Sequence, residues 1–189
     1  MNAIVKNIPN SITCLNLVSG LLAVAAAFQG NGPMWGLSGY QWCWIFIGIA
    51  AVADFLDGFA ARLLHAYSSL GKELDSLCDL VSFGVAPAML MFNCMMDTGF
   101  QSWTPWLAFI IPVCGALRLA KFNIDDRQTT SFIGLPIPAN AIFWIGYSAL
   151  AYYGTEFVCQ WYWFLLIVLV ESWLMISPVR FFSLKFKTW

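Results

Sequence analysis

The chain has 189 residues, 60% of them hydrophobic and only 10% charged, with a formal net charge of −1. That balance is too apolar for a soluble domain of this size and predicts an integral membrane protein, a single transmembrane domain over residues 1–189. The nine Lys and Arg are spread out without forming a basic stripe, which excludes a nucleic-acid partner. Six cysteines lie scattered through apolar segments with no C-x-x-C spacing, so they read as reduced, buried thiols and not as a disulfide or zinc framework.

In chain order, Met1 to Asn10 is short and weakly polar, and the apolar run after Lys6 leads directly into a spanning helix and not to a cleavage site. Pro9-Asn10-Ser11 predicts a helix start, with Asn10 or Ser11 as the N-cap and a first span from about Ile12 to Gln29. Thr13, Asn16 and Gly20 share one face of it, and Asn16 is a group that hydrocarbon penalises. Gly30-Asn-Gly-Pro33 breaks the chain. A second span starts near Gln41 and continues as a helix to about Leu64. It carries roughly a dozen apolar residues before Asp54, about 18 Å at 1.5 Å per residue, so acids begin inside the expected membrane boundary. Intramembrane acids are candidates for function. His65, at the helix exit, reads as an interfacial residue.

The third span, about Lys72 to Met95, contains Pro87 as a source of a kink. The fourth, about Trp103 to Lys121, ends in Arg118-Leu-Ala-Lys121-Phe-Asn123, where Arg118 and Lys121 are expected to share a face as anchors or as anion-binding groups. The fifth runs from about Pro138 to Tyr153 and the sixth from about Trp161 to Pro178, with Glu171 inside it. The fold class is therefore all-α, with six transmembrane helices. The connections at 30–40, 97–103 and 154–160 contain no Lys or Arg, whereas all nine basic residues fall on the other side or at its boundary. The positive-inside rule makes that side cytosolic, with both termini and a polar site at that end of the bundle. This predicts a multi-pass protein of the cell membrane.

The polar site lies between Asp54 and Asp79. Asp54, Asp57, Gly58 and Ala61 fall three or four apart on one helix face, and Gly71, Asp75, Asp79 and Ser82 on another. A turn between Arg62 and Gly71 would bring the two stripes together into a box of four carboxylates. Two carboxylates about 4 Å apart repel by roughly 4 kcal/mol at an effective dielectric of 20, so four do not stay ionised together unaided. Either some are protonated or divalent cations bind them, and all-oxygen ligands suit Mg²⁺, Mn²⁺ or Ca²⁺.

The pattern D-x-x-D-G-x-x-A-R-(x)8-G-x-x-x-D-x-x-x-D, complete from Asp54 to Asp79, resembles the signature of the CDP-alcohol phosphotransferase family. That resemblance implies that Asp54, Asp57 and Asp75 bind one or two divalent ions, Mg²⁺ or Mn²⁺. By the same resemblance Asp79 also belongs to the metal site and is the candidate base. Gly58, Ala61, Arg62 and Gly71 face the CDP-lipid, and so does Asn16, because P-N-x-x-T-x-x-N resembles the family's entrance to its first helix. The run R-L-A-K-F-N, followed by Phe132-x-Gly134-Leu135-Pro136-x-Pro138-Ala139, is similar to the serine-using branch. That branch implies transfer of a phosphatidyl group from CDP-diacylglycerol to L-serine with release of CMP. Arg118, Lys121 and Asn123 would be acceptor- or phosphate-binding residues, and the family resemblance implies a homodimer among membrane lipids. Two competing readings are a transferase using glycerol 3-phosphate or an inositol phosphate, which needs a denser basic pocket, and a cation carrier, which needs acids near the midplane or on both sides.

Overall fold

The computed structural model describes residues 3–98, 103–124, 132–154 and 160–181. Its elements are α1 (Ala3–Gln29), a two-stranded hairpin β1–β2 (Pro33–Met34, Leu37–Ser38), α2 (Gly39–Leu63), α3 (Ser69–Asp79), a π-helical turn (Leu80–Val85) and α4 (Ala86–Asp97). After these come a 3₁₀ turn (Thr104–Phe109), α5 (Ile110–Ile124), α6 (Ile137–Tyr152) and α7 (Trp161–Ile176), with short strands β3 (Phe132–Ile133) and β4 (Arg180–Phe181) pairing antiparallel. Four helical stretches, 7–29, 39–63, 69–97 and 104–124, are long and apolar enough to cross a membrane. Helices α6 and α7 have 16 residues each, about 24 Å of helix. The large apolar side chains on the outside, such as Phe55 at 71% and Leu15 at 62% exposure, fit a bundle surrounded by lipid.

Helix α1 starts earlier than its sequence suggests. It begins at Ala3 and passes through Pro9, so neither Asn10 nor Ser11 is the N-cap. Proline's fixed φ is itself helical, and the missing N–H at Pro9 leaves unmade only the one backbone bond that would reach four residues back. The break at Gly30 is present: its φ is +57°, in the left-handed region that favours glycine. The chain then turns through Trp35 and Gly36 in the β1–β2 hairpin. Helix α2 opens with a reciprocal cap, in which Ser38 Oγ accepts from the Gln41 amide and Gln41 Oε1 accepts from the Ser38 amide.

Helices α1 and α2 pack through small residues, Ala23, Ala26 and Ala27 meeting Cys43, Ile47 and Ala50 in one core cluster. A Cβ on Gly39 would overlap the Ala26 carbonyl, so the entry of α2 requires the missing side chain. Close backbone approach through Gly and Ala is how helices associate where lipid removes the hydrophobic driving force. A second cluster centres on Trp144 of α6, whose ring stands 5.7 Å from that of Phe164 in α7, against Ala88, Met91 and Met95 of α4. The expected single third helix is interrupted. Pro87 offers no N–H to the preceding turn, and the chain widens just before it into the π turn, where the Ala86 amide bonds to the Val81 carbonyl, five residues back. None of Cys14, Cys43, Cys78, Cys94 and Cys114 forms a disulfide, as expected; the last four are buried, but Cys14 is exposed on α1, against the expectation of burial, and Cys159 lies outside the described residues.

Candidate active site

The spacer between the two acidic stripes is a tight helical reversal. Helix α2 ends with the Leu64 amide bonded to the Ala60 carbonyl and the Ala66 amide to that of Ala61, around His65 at φ +49°. Ser68 then caps α3, its Oγ accepting from the Gly71 amide at 3.0 Å. The reversal sets the end of α2 against the start of α3, and carboxylate oxygens of Asp54, Asp57 and Asp75 lie within 4.8 Å of one another. The Asp54 carboxyl is also within hydrogen-bonding reach of both Asp75 and Asp79. Bare anions do not hold this arrangement in a low-dielectric site without a positive partner.

Helix α1 supplies the third wall. The face carrying Thr13 and Asn16 was legible from spacing; which groups it meets was not. Asn16, fully buried, donates from Nδ2 to Asp79 Oδ1 at 3.1 Å. Thr13 donates to the Pro9 carbonyl at 3.0 Å, with its hydroxyl also in reach of Asp57. A cavity of about 540 Å³ opens beside the carboxylates, bounded by Asn10 and Thr13 of α1, Asp57, Gly58 and Ala61 of α2, and Gly71 of α3. Its floor at Gly58 is bare backbone: the nearest atom to a Cβ there would be the exposed Arg62 guanidinium, at 4.0 Å. A Cβ on Gly71 would come within 3.0 Å of Asn10 Oδ1 and Ser68 Oγ.

The residues of α5 separate. Arg118 is buried, 8% exposed, within electrostatic reach of Asp79, and its Nε makes no hydrogen bond. Lys121 is exposed, so the shared face expected for these two does not hold. Three residues along a helix leave a 60° offset, enough at this edge to turn one side chain inward and the other outward. Asn123 ties α5 to α3: its Nδ2 donates to Ser76 Oγ at 3.0 Å, and Lys72 Nζ donates to its carbonyl at 3.0 Å. Asp125 and Asp126, the acids that follow Asn123 and candidates with it for a serine ammonium, lie outside the described residues. His65 is exposed and stands outside the carboxylate group.

The donor set fits a hard divalent cation. Asp57 Oδ2 and Asp75 Oδ1 are buried acceptors without a hydrogen-bond donor. Bonds of about 2.1 to 2.4 Å place even opposite oxygens no more than about 4.8 Å apart around Mg²⁺, Mn²⁺ or Ca²⁺, so oxygens within 4.8 Å of one another can share one ion. A cation held by these oxygens beside a glycine-floored cavity can receive a polyphosphate. The family model described as CDP-alcohol phosphatidyltransferase matches residues 6–181. The chain belongs to this family.

Among curated relatives, the chain is 38% identical over 183 residues to a CDP-diacylglycerol–serine O-phosphatidyltransferase of Mycobacterium leprae, covering 91% of this chain and 57% of the relative. It is 41% identical over 135 residues to the Bacillus subtilis protein of the same name, 69% of each chain. A third of that name, from Methanocaldococcus jannaschii, is 40% identical over 144 residues, 76% of this chain and 61% of the relative. The chain thus spans 57 to 69% of the length of these relatives. As a member of this family it carries the acidic motif on two helices that the fold sets side by side, with Asn16 and Arg118 at Asp79 from two more.

Proposed function

We propose that this chain transfers the phosphatidyl group of CDP-diacylglycerol to the hydroxyl of L-serine, releasing CMP, in a reaction that depends on Mg²⁺ or Mn²⁺. The observation that carries this reading is the convergence of the Asp54, Asp57 and Asp75 carboxylates beside the cavity floored by Gly58. The names of the relatives support serine as the acceptor. A divalent ion bound by those carboxylates, one or two in number, supplies charge neutralisation for the diphosphate and for the departing CMP.

The chain's own residues do the rest. Gly58, Ala61 and Gly71 leave room for the nucleotide diphosphate to approach the backbone, with Arg62 at the rim. Asp79, held by Asn16, takes the proton from the serine hydroxyl as that oxygen attacks the β-phosphorus. A phosphorus–oxygen bond to serine forms, the bond to the CMP phosphate breaks, and CMP leaves with the electron pair. Arg118 offers a planar donor set for the serine carboxylate. Lys121 adds positive charge at the surface, and Asn123 keeps α5 against α3.

The reading includes six spans, α6 and α7 completing the four long ones, with both termini and the site on the cytosolic side of the cell membrane. All of residues 1–189 then form one transmembrane domain, working as a homodimer. CMP release from CDP-diacylglycerol, measured against a panel of acceptors with and without metal, tests the proposal. Serine-dependent release supports it. Faster transfer to glycerol 3-phosphate or an inositol phosphate would overturn the serine assignment and leave phosphatidyl transfer standing.

A further inference from the structure

Beyond the carboxylates, one closed set of contacts joins α1 to the π turn, and nothing in the acidic motif itself calls for it. Ser82, fully buried in that turn, donates from Oγ to the backbone carbonyl of Asn16 at 3.0 Å. The side chain of the same Asn16 donates to Asp79 Oδ1. Three residues separate Asp79 from Ser82, so the pair shares a helix face and grips Asn16 at backbone and side chain together. The contact depends on Gly20, one turn beyond Asn16. A Cβ there would overlap the Ser82 hydroxyl and come within 2.8 Å of Ser82 Cα. The π turn places Ser82 in this ring just ahead of Pro87, and single π turns occur most often where a helix is shaped for a site.

We propose that Ser82 and Gly20 are positioning residues, which fix Asp79 against the reacting hydroxyl by holding Asn16. The inference rests on the reading of Asp79 as the base. Ser82 belongs neither to the cluster of Asp54, Asp57 and Asp75 nor to the lining of the cavity. Its loss should therefore disturb the chemical step and leave metal and lipid binding alone.

The experiment is a double-mutant cycle on the full chain in detergent, with L-serine or whichever acceptor the wild type uses. It reads kcat, KM for CDP-diacylglycerol, and Mn²⁺ affinity by electron paramagnetic resonance of the free ion. Ser82→Ala should lower kcat about tenfold, the scale of one buried hydrogen bond, with KM and Mn²⁺ affinity each within about twofold of wild type. Ser82→Cys, which keeps the volume and a weak donor, should fall between the two. Asn16→Ala should lower kcat further, and adding Ser82→Ala to it should cost nothing more. Additive losses, an unchanged kcat in Ser82→Ala, or a loss of Mn²⁺ affinity equal to the loss of kcat would overturn the proposal. Should Asn16→Ala not fold, the Ala and Cys variants of Ser82 decide alone by the split between kcat and Mn²⁺ affinity. Asp79→Asn separates the two layers. If it keeps full kcat, the base reading itself fails; if it is inactive while the cycle is additive, only the positioning role fails.

Discussion

Arg118→Lys probes the acceptor side of the site with the least disturbance to charge. Arg118 is only 8% exposed, and its Nε is buried without a hydrogen-bond acceptor. A guanidinium in that state has donors to spare for a planar anion, and a lysine ammonium at the same place keeps the charge but loses the two-point fork. A hydrogen bond to a charged group contributes about 1.5 to 3 kcal/mol. Losing one worth about 2 kcal/mol raises a dissociation constant by roughly thirtyfold. The expected outcome is a rise of that size in KM for L-serine, with KM for CDP-diacylglycerol nearly unchanged. Initial rates of CMP release, with each substrate varied in turn, measure both. If only the CDP-diacylglycerol KM rises, Arg118 belongs to the phosphate site and the serine pocket lies elsewhere.

Other consequences are equally open to measurement. Asp54→Asn and Asp75→Asn should each cost on the order of a thousandfold in rate and weaken Mn²⁺ binding, with thermal unfolding in detergent showing the fold retained; wild-type Mn²⁺ affinity in either variant would refute their role. Gly134→Ala should destabilise the protein, because Gly134 has φ +80° and an added Cβ would overlap the Met175 carbonyl. A strain of about 2 kcal/mol or more should lower the melting temperature by several degrees, and an unchanged value would contradict the close approach to α7. In a cysteine-labelling scan, positions near Asn31, Thr98 and Glu156 should react only from outside the cell and positions near Ser69, Arg127 and Lys187 only from inside. Labelling of Ser69 and Glu156 from one common side would overturn the six-span arrangement.

Much of this was legible because the bundle's grammar is coarse. Among the described residues, long apolar runs between Gly- and Pro-containing breaks located the helical stretches but not the division of the third into α3, a π turn and α4, and the spacing of Asp54, Asp57 and Asp75 predicted a cluster that the fold forms. The details that escaped depend on contacts between segments distant in sequence. Nothing local says that Asn16 meets Asp79, 63 residues on, or that Asn123 is bonded to Ser76, 47 residues back. Pro87 signalled an irregularity, but a kink and a π turn answer the same missing N–H, and packing of Ser82 against Gly20 accompanies the second. The early start of α1 was missed because Pro9 reads as a boundary although its backbone is compatible with a helix. Arg118 and Lys121 looked equivalent by spacing; only the packed bundle separates a buried guanidinium from an exposed ammonium.

Serine-dependent, metal-dependent phosphatidyl transfer is tested most directly in a single reaction mixture: the purified protein, CDP-diacylglycerol in mixed micelles, L-serine, and either Mg²⁺, Mn²⁺ or EDTA. Equal amounts of CMP and phosphatidylserine should form with metal, neither product with EDTA, and both should return with the ion. Full turnover in metal-free buffer, or CMP release that ignores every acceptor supplied, would contradict this assignment.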